Sequence, residues 1–201
     1  MRGAGLLLCG LLWLAGCATT RVSREPLSVA AQQTMLRSLG GFRLEGTASV
    51  QVGEEAVTPS VSWQQRGTEA RFRFSGLLGM GLVLEYGPQT LHLTSSRGED
   101  LRGTEAEQAL SAQIGFVPPF EALRFWVLGL PAPGDPPTEQ STDDAGRINA
   151  MTQQQWHIRY ERWTDVATSA GIARLPKKLV ATRADLRLVL AVRRWDLTTG
   201  D

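Results

Sequence analysis

Cysteine and histidine are both scarce in this chain of 201 residues. The two cysteines, Cys9 and Cys17, lie near the N-terminus, so the rest of the chain has no disulfide, no cysteine-rich zinc site and no thiol nucleophile. The two histidines, His92 and His157, stand on predicted strands without carboxylates at metal-ligand spacing, and no G-x-S-x-G elbow occurs. Neither a Ser-His-acid triad nor a three-ligand metal centre is expected, and we predict that the protein is not an enzyme.

The chain also lacks an excess of either charge, since 21 basic and 20 acidic residues leave a formal charge of +1. Sequence-independent binding to nucleic acid depends on a surplus of basic residues, so no nucleic-acid partner is expected. The glycines Gly76, Gly79 and Gly81 stand in the wrong order for a phosphate-binding loop, and no cofactor is predicted. What the chain does have is 21 glycines, six tryptophans and 42% hydrophobic residues, a composition typical of a turn-rich, mainly β domain.

A long apolar run is present at residues 4–16, directly after a basic N-terminus. As a helix at ~1.5 Å per residue it would reach about 20 Å, which is short of the ~30 Å of a hydrocarbon core. The run therefore predicts a secretory signal peptide over residues 1–16. It ends at Leu14-Ala15-Gly16-Cys17, which resembles a bacterial lipobox; an ordinary signal peptide with a chance cysteine is the alternative.

The lipobox resemblance implies that the leader is cut before Cys17 and that this cysteine carries acyl chains. At ~0.8 kcal/mol per buried methylene, each sixteen-carbon chain is worth on the order of 12 kcal/mol, so two or three chains hold a protein to a bilayer. Ala18 follows, rather than the aspartate associated with inner-membrane retention in enterobacterial lipoproteins. We expect a lipidated N-terminus and tether over residues 17–27, residence in the periplasm-facing leaflet of the outer membrane, and a single domain over residues 28–201.

The body of the chain begins with a helical pattern and then alternates. Val29, Leu36 and Leu39 follow a 3.6-residue rhythm that predicts a helix from about Ser28 to Leu39. From Phe42 to Val52 the period is two, which indicates a strand with one apolar and one polar face. Similar alternation predicts strands at 57–65, 70–74, 82–86 and 90–94, and later at 147–153, 155–160, 179–183 and 185–195.

Two helices are predicted between these groups of strands. The capping-box spacing of Thr104 and Glu107 predicts a short helix ahead of Ile114. Pro118-Pro119 then starts an almost wholly apolar helix, Phe120 to Leu128, which has to be covered on most sides. The pattern as a whole predicts one curved antiparallel sheet, closed or half-closed, with helices on its concave side.

The segment between the strands at 70–74 and 82–86 is apolar where a hairpin loop is normally polar. It presents Leu77, Leu78 and Met80 on a glycine-rich backbone. One interpretation is an exposed tip that enters lipid, and the other is that these side chains fold back onto the core. A single leucine contributes only ~1.5–3 kcal/mol on burial, which is enough to perturb a bilayer but not to anchor a protein.

The order of several motifs gives the chain a family resemblance. The most specific is R-x-W-x-L-G-L-P, from Arg124 to Pro131. The others are the lipobox, the strand at 42–52, Trp63-Gln64-Gln65, Phe72-Arg73-Phe74, Leu82-Val83-Leu84-Glu85, Trp156-His157-Ile158-Arg159-Tyr160, Leu175-Pro176 and the run at 185–195. Together they resemble the LolB family, the outer-membrane receptors and insertion proteins of the Lol lipoprotein pathway.

The resemblance implies a mainly β (α+β) fold, an open or half-closed antiparallel β-barrel of about ten or eleven strands whose helices lid an apolar cavity. It also implies a protein that accepts lipoproteins from a soluble, LolA-like periplasmic carrier, shelters their acyl chains and inserts them into the outer membrane without a cofactor. Leu78 corresponds to the family's loop leucine, which is implicated in membrane insertion, while Leu77 stands where a proline is common. We expect a monomer.

The residues predicted to line the cavity are apolar and share the inward face of their strands or lie on the lid helix. On the strands they are Leu44, Val50, Trp63, Phe72, Phe74, Leu84, Trp156, Ile158, Leu188 and Leu190, and on the helix they are Phe120, Leu123 and Trp126. Each of them can equally be ordinary core, because sequence does not separate a lined void from a filled barrel. A filled barrel would favour a structural or adaptor lipoprotein, and a cavity would also suit a carrier of glycolipid or phospholipid.

Overall fold

A computed structural model describes residues 25–77 and 80–197 of the chain. The predicted signal peptide, the predicted lipidation site Cys17 and Leu78 lie outside the described residues. The helices of the described part are α1 (Val29–Arg37), α2 (Thr104–Ile114) and α3 (Phe120–Trp126). Its strands are β1 (Gly41–Val52), β2 (Glu55–Val57), β3 (Ser60–Arg66), β4 (Glu69–Leu77), β5 (Met80–Gly87), β6 (Thr90–Ser95), β7 (Asp100–Arg102), β8 (Glu139–Thr142), β9 (Ile148–Gln153), β10 (Trp156–Ala167), β11 (Ile172–Arg183) and β12 (Leu186–Asp196).

These strands form one antiparallel sheet that stays open. Its order is β7-β6-β5-β4-β3-β1-β12-β11-β10-β9-β8, and β2 pairs with β1 beside this path. Helices α2 and α3 follow β7 in the chain and cover the inner face of the sheet, where the apolar core lies. The prediction of a mainly β fold, with an open antiparallel sheet and helices on one side, is confirmed.

The strand boundaries differ from the prediction where the alternation fails. The short strands β2, β7 and β8 were not predicted, because most of their residues are exposed and they carry no regular apolar face. Strands β10 and β11 run well beyond the predicted limits of 155–160 and 179–183. Bulges at Tyr160, Arg162 and Trp163 shift the register of this hairpin and so interrupt the period of two.

The start of α2 corrects the predicted capping box. Thr104 is the first helical residue and Gly103 occupies the cap position, at φ 55°, without a side-chain cap bond. The N–H of Glu107 donates to the carbonyl of Gly103 at 3.0 Å. The spacing of Thr104 and Glu107 therefore located the helix correctly but placed its cap one residue too late.

The hairpin of β4 and β5 is longer than predicted. Leu77 and Met80 pair with each other as the last residue of β4 and the first residue of β5. Both residues were predicted to lie in the loop between these strands, and that prediction is wrong. Gly76 has a φ of 81° and sits at a register shift between Ser75 and Leu77, where a glycine bulge increases the local twist. Only residues 78 and 79 separate the two strands.

The first described residues attach to strand β11. The N–H of Leu27 donates to the carbonyl of Ile172 at 2.9 Å. The side-chain amide of Gln32 on α1 binds both backbone groups of Arg174, at 2.9 Å and 2.6 Å. Since the core cluster also lies within the described residues, the chain from residue 25 onward carries every strand, helix and core contact of the described structure.

Strand β1 lies at the centre of the sheet, and Gly46 is the point where it approaches β12 most closely. A Cβ atom at Gly46 would lie 2.1 Å from the carbonyl oxygen of Ala191. The register shifts at the same place, between Glu45 and Gly46. Because the obstructing atom belongs to the backbone, a side chain at this position requires the two central strands to move apart.

We expect Gly46→Ala to lower the free energy of unfolding by about 2 kcal/mol or more, in the upper part of the range for overpacking. Urea denaturation followed by tryptophan fluorescence measures the change. Gly40→Ala is the matched control, because a Cβ atom at Gly40 meets nothing within 4 Å. Equal stability of the two variants would contradict the close approach at Gly46.

Candidate functional site

An apolar cavity of about 90 Å³ lies between the inner face of the sheet and helices α2 and α3. Its wall is formed by Ala48, Val50, Val57, Pro59, Val61, Trp63, Phe72, Phe74, Leu82, Leu110, Ile114, Pro118, Phe120, Leu123, Val127, Leu179, Leu188 and Leu190. All of these described lining residues are apolar. Since buried polar groups need partners and apolar cavities stay dry, this wall suits hydrocarbon and excludes a charged ligand.

Eight of the predicted lining residues lie on this wall. They are Val50, Trp63, Phe72, Phe74, Phe120, Leu123, Leu188 and Leu190. They come from β1, β3, β4, β12 and α3, so the fold brings together side chains that are far apart in sequence. Their contact with an acyl chain stays a prediction.

The other five predicted residues do not line the cavity. Leu44, Leu84, Trp126, Trp156 and Ile158 are at most 2% exposed and belong to the packed core. The rings of Trp126 and Trp156 lie 6.4 Å apart between their centroids and fill the space beneath α3. A period of two correctly gives the inward face of a strand. It does not say which of the inward side chains pack against other side chains and which border an empty space.

Ten lining residues were not predicted. They are Ala48, Val57, Pro59, Val61, Leu82, Leu110, Ile114, Pro118, Val127 and Leu179. Ala48, Val61 and Leu82 share the strand face of predicted residues, and the alternation alone was sufficient to include them. Leu110 and Ile114 are one helical turn apart on α2, and no sequence signal shows that this helix covers the mouth of the cavity.

The cavity is small for its predicted ligand. Pockets for drug-sized ligands measure roughly 300–1,000 Å³, and an engineered cavity of roughly 150 Å³ is large enough for benzene. At about 90 Å³, the cavity is therefore closed to a whole acyl chain. A whole acyl chain would need more space than the cavity has in this structure.

Helix α3 is held firmly against the sheet. The indole N–H of Trp126 donates to Oε1 of Gln153 at 2.7 Å, and the hydroxyl of Tyr160 donates to the carbonyl of Trp126 at 2.8 Å. On the other side of the helix, Arg124 donates to the carbonyl of Gly67 at 2.6 Å. The two bonds at Trp126 are buried and therefore costly to break, so α3 is the fixed part of the cover.

Helix α2 lies against the sheet through apolar side chains. Within residues 25–77 and 80–197, no side-chain hydrogen bond joins it to the sheet, and its fully buried side chains are Ala106 and Leu110. Both ends have glycines at positive φ, Gly103 at 55° and Gly115 at 82°. Glycine can pass between conformations that other residues cannot reach, so Gly103 and Gly115 are candidate hinges at the two ends of α2.

Both tyrosines of the chain face the helices and stay protonated. Burial and the hydrogen bond to Glu121, at 3.1 Å, raise the pKa of Tyr86 to about 12. Burial raises the pKa of Tyr160 far above its usual range. The protonated hydroxyls are the forms that donate to Glu121 and to the carbonyl of Trp126.

We expect no tyrosinate absorbance at 295 nm from the native protein at pH 10, the ordinary pKa of tyrosine. Because both folded-state pKa values are raised, the contribution of these phenols to stability is complete below pH 10; that of Tyr86 is lost as the pH rises through about 12, and that of Tyr160 is lost only at higher pH. A spectrophotometric titration, repeated in denaturant, tests this: the unfolded chain should titrate near pH 10. A native transition near pH 10 would contradict the burial of both rings.

The histidines face away from the cavity, on the outer face of the sheet. His92 lies 2.8 Å from Oδ1 of Asp100 and 3.3 Å from Oε2 of Glu85, and His157 lies 3.3 Å from the hydroxyl of Thr152. Among the described residues there is no group of three or more histidines, cysteines and carboxylates that could hold a metal ion. The same residues include no helix with the length and hydropathy needed to cross a bilayer.

Comparison with known proteins points to one family. The family model for outer membrane lipoprotein LolB matches residues 40–195. The chain is 34% identical over 197 residues to the outer-membrane lipoprotein LolB of Nitrosococcus oceani, with 96% of each chain covered. It is 30% identical over 185 residues to that of Cellvibrio japonicus, with 92% of this chain and 91% of the relative covered. These relatives carry the names of lipoproteins and not of enzymes, in agreement with the prediction.

A solved structure is also similar. The LolA superfamily protein of Nitrosomonas europaea superposes with a TM-score of 0.51 at 10% identity, over 85% of this chain and 94% of that chain. At so low an identity the likeness concerns the fold alone, an open sheet covered by helices. With the family model matching most of the chain and relatives covering nearly all of it, the chain belongs to the LolB family of outer membrane lipoproteins.

Proposed function

We propose that this protein is anchored in the periplasm-facing leaflet of the outer membrane through lipid on Cys17, accepts lipoproteins from a soluble periplasmic carrier, and inserts them into the outer membrane. The observation that carries the proposal is the wholly apolar cavity beneath α2. Membership of the LolB family supports a role in lipoprotein transfer. The predicted signal peptide and tether, residues 1–27, belong to the same proposal.

The physical requirement for such a cavity is large. Three sixteen-carbon acyl chains exposed to water would cost on the order of 36 kcal/mol at ~0.8 kcal/mol per methylene. The chains must therefore pass directly from one apolar cavity to another. No cofactor is needed if the receiving cavity binds more tightly than the donor, since ~1.4 kcal/mol gives a tenfold preference.

Entry of an acyl chain follows from the unequal attachment of the two helices. Helix α3 stays in place through Gln153 and Tyr160, while α2 swings on Gly103 and Gly115. Movement of α2 withdraws Leu110 and Ile114 from the wall of the cavity. The cavity then opens to the outside of the protein. The closed state then corresponds to the empty protein.

Release into the membrane is assigned to the tip of the β4–β5 hairpin. Its strands bring Leu77 and Met80 side by side, and Leu78 follows directly in the chain. The segment connects the two paired strands of the hairpin, and we assign to it the contact with lipid. Burial of about one to three such side chains, at ~1.5–3 kcal/mol each, loosens the packing of headgroups without fixing the protein in place.

We expect Leu78→Glu to bind a lipoprotein delivered by its carrier but to insert it into vesicles at least tenfold more slowly, because a charged tip does not enter lipid. The measurement follows a labelled lipoprotein from carrier to protein and from protein to vesicle. Val117→Glu is the matched control, because Val117 is an apolar residue that is already 41% exposed. Normal insertion by Leu78→Glu would refute the role of the tip, and failure of the wild-type protein to take lipoprotein from the carrier would refute the proposed function itself.

A further inference from the structure

Two β-bulges lie close together on the outer face of the sheet, opposite the cavity. Between β1 and β12 the register passes from Glu45↔Arg194 to Gly46↔Val192, which leaves Arg193 as the extra residue. Between β10 and β11 it passes from Arg162↔Lys178 to Trp163↔Pro176, which leaves Lys177 as the extra residue. Bulges redirect side chains and occur preferentially beside functional sites.

Both redirected cations line the same groove. Arg193 and Lys177 stand with Arg162 around Gly46 and Ala191, in a depression of about 280 Å³. Thr47 and Ala191 pair across β1 and β12, next to the cavity residues Ala48 and Leu190. Because successive side chains point to opposite faces of a sheet, this depression lies on the outer face.

The depression continues towards the β4–β5 hairpin. A second depression, of about 680 Å³, shares Gly46 and Arg193 with the first and extends past Arg73 to Ser75 and Gly81. Its wall includes the hydroxyl side chains of Ser60, Ser62 and Thr94. The two depressions together form one continuous feature, the outer groove, which ends at the base of the apolar hairpin.

The outer groove has an uncompensated positive charge. Among the described residues, Arg73, Arg162 and Lys177 have no carboxylate within ion-pair distance. Glu45 is the single carboxylate among its described lining residues, and it pairs with Arg193 at 3.2 Å.

Glu161, which is next to Arg162 in the chain, is already engaged. Glu161 accepts from Lys178 at 2.6 Å and from Arg159 at 2.8 Å, and these bonds hold the pKa of Glu161 at about 2. It therefore stays ionised and occupied by those two partners at neutral pH. Glu161 therefore does not neutralise Arg162 or Lys177.

We propose that the outer groove binds the phosphate groups of anionic phospholipid headgroups and so orients the protein on the membrane surface. Arginine and lysine are the usual ligands of phosphate, and the hydroxyls beside Arg73 supply further donors. Continuity with the base of the β4–β5 hairpin favours a lipid over a soluble anion, because that hairpin carries the segment proposed above to enter lipid. The inference goes beyond the proposed function, since it concerns a surface that neither holds nor inserts an acyl chain.

The test uses the chain from residue 25 to 201, which carries the fold described above without Cys17. Its sedimentation with vesicles of phosphatidylcholine and phosphatidylglycerol is compared with its sedimentation with phosphatidylcholine alone. We expect binding that requires the anionic lipid and that weakens about tenfold to thirtyfold in the double variant Arg162→Gln with Lys177→Gln, at roughly threefold to fivefold for each cation removed near the surface. The matched control is Arg37→Gln with Arg66→Gln, two exposed cations on α1 and β3 that also have no described carboxylate within ion-pair distance, and it should change binding less than threefold.

Several results would overturn the proposal. An equal loss in both double variants would show general charge attraction instead of a site. Saturable binding of inorganic phosphate without any gain on anionic vesicles would assign the groove to a soluble anion. Binding to polyglutamate but not to vesicles would assign it to an acidic protein. Lipoprotein uptake from the carrier is measured separately, so failure of the groove proposal and failure of the proposed function are distinguishable.

Discussion

A disulfide that locks α2 to the sheet is expected to reduce acyl-chain uptake at least tenfold. The pair is Val52→Cys on β1 and Gly115→Cys at the end of α2. A Cβ atom at Gly115 lies 3.5 Å from the Cβ of Val52, within the range of roughly 3.5–4.5 Å for disulfides. Because α2 already continues directly from β7 through Gly103, the bond restrains both of its ends and keeps the cavity at its closed volume of about 90 Å³.

The experiment measures uptake of a fluorescent fatty acid by the chain from residue 25 to 201, before and after oxidation. This part of the chain has no other cysteine, so the engineered pair forms the disulfide without competition. Reductant should restore uptake in the double variant, and each single variant should respond equally in both states. The single Gly115→Cys variant also measures the strain of a side chain at φ 82°. Full uptake by the oxidised double variant would show that α2 does not have to move, and no saturable uptake by the wild-type chain would favour the adaptor hypothesis.

The strands were predictable wherever one face is buried along a regular stretch. In β1, the residues Phe42, Leu44, Ala48 and Val50 are buried and alternate with more exposed neighbours, so the sequence alone gives the element and its inward face. In β10 the same rule holds only as far as Tyr160, because the bulges beyond it break the alternation. Short exposed strands such as β8 have no apolar face and therefore give no signal.

The site was predictable in composition but not in shape. Inward residues of the strands were identified as a group, yet Leu44 lies in solid core and Val50 borders a void. That difference depends on where helices α2 and α3 lie on the sheet. Neither the hydrophobic period of a strand nor the helix propensity of a segment predicts this position. The outer groove was equally hidden, because a formal charge of +1 gives no hint that bulges collect Arg162, Lys177 and Arg193 on one face.

The buried side-chain amide of Gln153 holds helix α3 against the sheet. We expect Gln153→Leu to lower the free energy of unfolding by at least about 3 kcal/mol. Gln153 is 1% exposed, and its Oε1 accepts from the indole of Trp126 at 2.7 Å and from the N–H of Ala132 at 2.9 Å. Its Nε2 donates to the carbonyls of Ala132 at 2.9 Å and Asp135 at 2.6 Å. Leucine has a similar size but leaves two donors and two acceptors without these partners, at ~1–3 kcal/mol for each buried group that stays unsatisfied.

Urea denaturation measures the loss, and Gln108→Leu is the matched control, because Gln108 is exposed on α2 and its replacement should change stability by less than about 0.5 kcal/mol. The two variants separate the roles of the helices. If Gln153 fixes α3 while α2 moves, Gln153→Leu should expose the Trp126 indole, seen as a red-shifted tryptophan emission, under conditions where Gln108→Leu leaves the emission unchanged. A stability loss below about 1 kcal/mol in Gln153→Leu would mean that water or a shifted backbone satisfies the orphaned groups, and that Gln153 is not what fixes α3.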